Sequence, residues 1–269
     1  GDLVYPDASE EEYNNRFKGP IRLVFPYNSA SLESGEPKPI LLAMPGNHDW
    51  YDGCSAFIRM MCQQKTIGGF ATVQHKTYFA FTILPNLHLV GVDNQLAGDI
   101  DIPQLNYFKN YVASLSKDMT HNVLLFVAEP NWYNYHFKER MQYRQRMDSL
   151  EYLIMELKKV NSSVTIKAIL AGDIHHYARY ESAVPEHVLG DKPMLITSGG
   201  GGAFKHLTHK LETYIHIPSF ECPTKNHPST SVRYKRATEY PSFDWSRRHL
   251  LLNLLFAVKN LSFTFSLGI

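Results

Sequence analysis

The sequence predicts an α/β fold in which a mostly parallel, well-buried sheet carries a functional site along one edge. Three observations predict it. Short continuous apolar runs recur at residues 40–44, 87–92, 123–127 and 166–171, the pattern of strands covered on both faces. Each run stops at polar residues with a Gly or Pro nearby: Gly46-Asn47-His48-Asp49, Asp93, Ala128-Glu129-Pro130 and Gly172-Asp173-Ile174-His175. Between the runs lie helical candidates at 55–64, 103–116 and 147–160, the last with Leu150, Leu153, Ile154 and Leu157 at helical spacing. Ligands of open α/β sheets lie beyond the strands' carboxyl ends, so these polar termini are expected to converge.

The remaining elements follow in order. Gly1-Asp2 before Leu3-Val4-Tyr5-Pro6 reads as a buried strand running into a loop. With no initiator Met and no signal-peptide pattern, the chain is expected to be a piece of a longer protein. The acidic stretch 7–12 fits a helix start with Ser9 as N-cap, and the Pro-rich stretch 20–39 a loop. Residues 194–197 form a further strand that ends in the glycines 199–202. Beyond Tyr214, prolines at 218, 223, 228 and 241 suggest an excursion over the surface. The apolar-rich end, 249–269, reads as two strands closing the sheet or as a membrane-proximal segment. Asn253, Lys259, Asn260 and Ser262 interrupt it too often for a span of about 20 apolar residues. Residues 1–214 are thus the expected core and 215–269 its decoration.

Composition narrows the function. A chain of 269 residues, 44% hydrophobic, can bury one large core. Its net charge of +1, from 27 basic and 26 acidic side chains, sets up no global field toward nucleic acid or an anionic membrane. The best basic cluster, within 225–236, is a solvated loop as readily as a binding patch, and no stripe of interleaved basic and aromatic residues supports a nuclease. Cys54, Cys62 and Cys222 lack the spacing of a zinc knuckle or a disulfide framework, which favours a reducing compartment or indifference to redox. The sequons at Asn161 and Asn260 are frequent by chance.

The strand-end motifs carry the chemistry. Asp2 alone is a turn residue as readily as a ligand. Asn47, His48 and Asp49 present an amide oxygen, an imidazole and a carboxylate within three residues. A neutral amide oxygen suits a hard cation whose charge is already met by carboxylates. In an extended segment Asp173 and His175 point to one side and can share a metal cluster. Together the motifs lead to a dinuclear hydrolase site.

Gly1-Asp2 with Tyr5, Gly46-Asn47-His48-Asp49 and Gly172-Asp173-Ile174-His175 resemble, in order and placement, three of the signature blocks of the calcineurin-like metallophosphoesterases. The longer stretches 46–53 (GNHDWYDG), 128–130 (AEP), 172–180 (GDIHHYARY) and 198–204 (SGGGGAF) resemble a subgroup of large members of that family. Three features depart from the pattern. The family's first block, an Asp-x-His, would lie upstream of Gly1; Ala128 stands where a histidine is usual; and Asp173 replaces the first histidine of Gly-His-x-His.

The resemblance implies a four-layer α/β/β/α sandwich and two divalent ions, of Mn, Mg, Fe or Zn. Asp2 would bridge them, His175 would bind the first, and Asn47, Asp173 and Glu129 would bind the second, whose oxygen-rich set favours a hard cation such as Mn²⁺ or Mg²⁺. The metals would activate a hydroxide against a phosphomonoester or phosphodiester, with His48 as proton donor oriented by Asp49. His176, Arg179 and His209 are candidate substrate contacts. Arg179 can equally pair with a nearby carboxylate, and His206 and His209 reach the site if their segment is helical. Asp93 is a cap as readily as a site residue. The expected partner is a phosphate-ester small molecule or a lipid headgroup. The resemblance also implies a cytoplasmic catalytic domain, attached to a membrane through regions outside this chain. The alternative is a degenerate relative that binds a phosphorylated ligand without turnover.

Overall fold

A computed structural model describes residues 3–4, 8–26, 38–95, 99–133, 135, 141–184, 191–200, 205–220, 231–253 and 255, with the backbone alone at 141–144 and 250–253. Helix α1 runs through Glu10–Glu12, then wider π-type turns at Tyr13–Lys18, then Gly19–Val24. Ser9 caps it as expected: its hydroxyl accepts from the Glu12 amide at 3.1 Å, and Glu10, Glu11 and Glu12 fill the first turn.

The strand expected over residues 40–44 is much shorter. Only β1 (Ile40–Leu41) joins a ladder. It pairs in parallel with β3 (Phe70–Thr72), which also pairs with β2 (Thr66–Ile67), in a three-stranded sheet separate from the main one. The reason is a side chain. The Gln74 carboxamide accepts from the Ala43 amide at 2.8 Å and donates to the Ala43 carbonyl at 2.9 Å, standing in for a neighbouring strand. Asn47-His48-Asp49 therefore sits in a turn after this pinned segment. Helix α2 (Ser55–Met61) follows, and its Ala56, Phe57, Met60 and Met61 pack with Tyr13, Cys54 and Ile67 in a small core.

Among the described residues the main sheet has eight strands. β4 (Phe79–Leu84), β5 (Leu87–Val92), β6 (His121–Val127), β7 (Val164–Ala171), β8 (Tyr177–Ser182), β9 (Met194–Ser198), β10 (Tyr214–Pro218) and β11 (Ser231–Tyr240) stand in the order β10-β11-β8-β9-β7-β6-β5-β4. The centre, β5, β6, β7 and β9, is parallel, and the strands flanking it on either side are antiparallel. Helix α3 (Ile102–Ala113) starts at Asp101, whose side chain accepts from the Gln104 amide at 2.8 Å; helix α4 is Met141–Val160. Val123, Leu125 and Val127 of β6 join Phe108 and Val112 of α3 and Leu150, Leu153, Ile154 and Leu157 of α4 in the large core. The intervening residues of β6 are half-buried rather than fully covered. The α/β class stands: two sheets with helices against them.

Residues 214–218 and 231–240, expected within a surface excursion, instead belong to the sheet. β10 and β11 extend it beyond β8, with Ile215, Ile217 and Tyr234 in the large core. Their alternation was legible as a period of two, but the flanking prolines masked it. Helix α5 (Phe243–Asn253) comes next, so residues 249–253 are helical where closing strands were expected over 249–269; of the rest of that stretch, all but residue 255 lies outside the described residues. No described helix is long and apolar enough to cross a membrane.

Candidate functional site

Parallel strands bring their carboxyl ends to one edge. Val92 stands beside Val127, Val127 beside Ala171 and Ala171 beside Thr197, so the residues that follow are neighbours. Further contacts tie these loops together. The Gly172 amide donates to the Ala128 carbonyl at 3.1 Å, the Gly199 amide to the His176 carbonyl at 3.2 Å, and the Gln95 carboxamide to Glu129 at 3.1 Å. The ring of Tyr133 meets His176 edge-on at 6.1 Å. Trp50 draws the Asn47 turn to the same edge by donating to Asp93 at 3.2 Å. Glu129, Asp173, His175 and His176 thus share one edge, with Asn47, His48 and Asp49 alongside. Asp2 lies outside the described residues.

Asp49 does not have the partners expected of a carboxylate that orients His48. It is fully buried and accepts from the Tyr13 hydroxyl, the Gly46 amide at 2.8 Å and the Leu3 amide at 3.3 Å. Burial pushes its pKa up, and these donors oppose the shift. The carboxylate holds the turn closed and ties α1 to it. The His48 ring lies 4.7 Å from that of Tyr51, whose hydroxyl accepts from the Asn47 carboxamide at 3.2 Å.

Glu129 is almost wholly buried and forms an ion pair with Arg146 of α4. Burial lowers the pKa of that guanidinium, and the charge of Asp173 opposes the shift, so Arg146 faces both carboxylates. Residues 173–176 are bent, not extended as expected: Asp173 has a φ of +61°, and amides bond two residues back, Ile174 to Gly172 at 2.7 Å and His176 to Ile174 at 2.6 Å. Asp tolerates the left-handed region better than most residues. Gly199 packs against this loop so closely that a Cβ there would meet the Ile174 carbonyl oxygen at 2.3 Å.

The remaining candidates divide. Segment 205–208 is not helical, and His206 reaches the site without a helix: its ring stacks on that of His175 at 4.6 Å and 16°. His209 is drawn elsewhere, its amide and Nδ1 lying 3.1 and 2.9 Å from the Ser246 hydroxyl of α5. Arg179 pairs with Glu181 on its own strand at 3.1 Å. Asp93 is a buried brace between Trp50 and the Gln95 amide, and its main chain is bracketed by Gln104.

Three polar side chains stand out at this edge. Asn94 and Asn131 are fully buried, and among the described residues neither carboxamide has a hydrogen-bond partner on either atom; His176 is 2% exposed and its Nδ1 also lacks one there. Burial, then His206 and His175, lowers the His176 pKa to about 4, so the ring is neutral. Each unsatisfied buried group costs about 1–3 kcal/mol. They sit just past the ends of β5, β6 and β7. Amide oxygens and a neutral imidazole, beside Asp173 and Glu129, are donors that suit a divalent cation. Among the described residues, no group of three or more His, Cys, Asp or Glu side chains is already close enough to hold one.

No family model matches the chain. No curated protein matches it either. Among solved structures it is similar to a purple acid phosphatase isolated from yellow lupin (Lupinus luteus) seeds, at 12% identity and a TM-score of 0.40, over 66% of this chain and 34% of that one.

Sequence reasoning passed over Arg146, Asn94, Asn131 and Gln95. Arg146 had a signal: it stands four residues before Leu150 on the apolar stripe of α4, where a charge needs a buried partner. The asparagines had none beyond lying next to strand ends.

Proposed function

We propose that the chain is a metal-dependent hydrolase of phosphate esters, acting at the carboxyl edge of the main sheet. The observation that carries this reading is the gathering of Asp173, His175, His176 and Glu129 with the unpartnered, buried Asn94 and Asn131 at the ends of three neighbouring strands. On this reading Asn47 and Asp173 would hold one cation and His175 the other, with Asp2 as a further ligand that the resemblance implies. When bound, two divalent ions would supply phosphoryl polarisation and a nucleophile at neutral pH. The chain's own residues do the rest. Tyr51 orients the Asn47 carboxamide, and the neighbouring His48 imidazole delivers a proton to the departing oxygen. Arg146 balances Glu129 and Asp173, which keeps a buried acidic edge tolerable for an anionic substrate.

The test is metal analysis of the full-length protein purified in Mn²⁺, together with hydrolysis of aryl phosphate monoesters and diesters. Two equivalents of metal and turnover that EDTA abolishes are expected. One observation favours a second reading, binding of a phosphorylated ligand without turnover: Glu129 is already ion-paired with Arg146 and hydrogen-bonded by the Gln95 carboxamide. Fewer than two equivalents, with neither ester cleaved, would reject the hydrolase and leave that reading.

A further inference from the structure

We infer that His206 is a positioning residue of this centre: a neutral imidazole, protonated on Nε2, that clamps His175 and does not itself ligate a metal. The inference rests on the proposed metallohydrolase reading and assigns a role in it to a residue that no strand-end motif contains.

A donor that cannot be an acceptor sets the tautomer of His206. The His175 main-chain amide lies 3.2 Å from Nδ1 of His206 in hydrogen-bonding geometry. A backbone N–H only donates, so Nδ1 must offer its lone pair and carry no proton. The proton of the neutral ring is then on Nε2. An imidazolium, protonated on both nitrogens, could not accept this bond. Binding a cation through Nε2 would require that proton to leave, whereas the present bond fixes it there. His206 is therefore a donor at Nε2.

The same two residues are joined twice more. The His206 amide donates to the His175 carbonyl at 2.9 Å, and the two rings are nearly parallel at 4.6 Å. His175 needs such a clamp because the bends at 173–176, with their tight two-residue bonds, give it no strand ladder. Segment 205–208 supplies from outside what the loop lacks: two main-chain anchors and a flat face for the ring. Where the resemblance expects a second imidazole in the Gly-His-x-His position, this chain has Asp173, and His206 brings an imidazole back beside His175 in a different role.

Two measurements on the full-length protein test this. The first is a long-range ¹H–¹⁵N correlation spectrum of the metal-free protein labelled in its histidines, which reads the tautomer of His206 directly. The Nε2–H form is expected, and the Nδ1–H form overturns the inference whether or not the protein binds metal. The second is Mn²⁺ titration, followed by electron paramagnetic resonance, of wild type, His206→Ala, His206→Asn, His206→Phe and His175→Ala.

His206→Ala is expected to keep the wild-type stoichiometry but bind about 10–100-fold more weakly, the usual cost of losing a residue that holds a ligand in place. His206→Asn, whose amide oxygen can replace Nδ1 as acceptor, and His206→Phe, which keeps the ring stack, should each recover part of the loss, and both remain informative should the alanine variant not fold. His175→Ala should lose an equivalent outright. A missing equivalent in the His206 variants would make it a ligand, and unchanged affinity would make it a bystander; either result sinks the inference and leaves the hydrolase reading intact. A wild type that binds no metal sinks that reading and the positioning role together.

Discussion

A carboxylate removed from water must be met by donors, and at Asp49 those donors are the Tyr13 hydroxyl and the amides of Gly46 and Leu3. Tyr13→Phe removes one and leaves the charge buried, which costs about 1–3 kcal/mol. A lower denaturant midpoint with an unchanged slope is expected. If Asp49 served only to orient His48, that substitution would leave the midpoint in place. His176 poses the opposite problem, a base kept neutral. Its pKa falls from 6.5 to about 4, through burial first and then His206 and His175. For a base depressed in the folded state, the unfolded chain takes up the proton first, so stability is lost as pH falls below about 6.5. At about 1.4 kcal/mol per pH unit of difference, the metal-free protein should lose roughly 3 kcal/mol by pH 4 relative to a chain without this group. Thermal unfolding in EDTA between pH 7 and pH 4 measures this. His176→Gln should flatten the profile, and an equally steep profile in that variant would assign the loss to other groups.

Elements are held in place by single contacts that no periodicity reveals. Gly199 is one: a Cβ at 2.3 Å from the Ile174 carbonyl oxygen cannot be accommodated without moving the 172–176 loop. Gly199→Ala should cost about 1–3 kcal/mol as an overpacking change and weaken Mn²⁺ binding, because the displaced loop carries Asp173, His175 and His176. Unfolding and Mn²⁺ titration of the one variant read both effects, and a variant with neither would mean that the loop has room to spare. The sequence was most legible where physics repeats along an element. Apolar runs located β5, β6, β7 and β9 to within a few residues, and Ser9 was legible as a cap. It was illegible where one side chain overrides a pattern. Gln74 replaces the strand expected to continue through residue 44, and prolines near β10 and β11 hid their alternation. The candidate site divides the same way. Asp173, His175 and Glu129 follow strands and are legible as candidates, whereas Arg146 comes from a helix and His206 from a segment that reaches the site without being helical, and both depend on tertiary contacts.

At the scale of the molecule, the proposed site is assembled from two cores. Asp173, His175, His176, Glu129 and His206 are carried on the main sheet and its loops, while Asn47 and His48 sit on the turn that closes the small core of Tyr13, Cys54, Phe57 and Met61. Trp50, half-buried against the small core, makes a bond that spans the two: its indole N–H donates to Asp93, just beyond β5. Trp50→Phe keeps most of the ring's packing and removes that bond. Its net cost should be about 1 kcal/mol, so global stability changes little, yet the Asn47 turn loses a tether to the edge where Asp173 lies. The expected signature is therefore uneven. Amide exchange should speed up across the Asn47 turn and α2 while β5, β6 and β7 keep their protection, because local opening follows the contacts that hold each unit. Mn²⁺ binding should drop toward a single equivalent, since the cation that Asn47 and Asp173 are proposed to hold would draw ligands from both cores and the other would depend on His175. Equal weakening of both equivalents, or faster exchange spread evenly over the sheet, would mean that the two cores open as one unit and that Trp50 is not what registers one half of the site against the other.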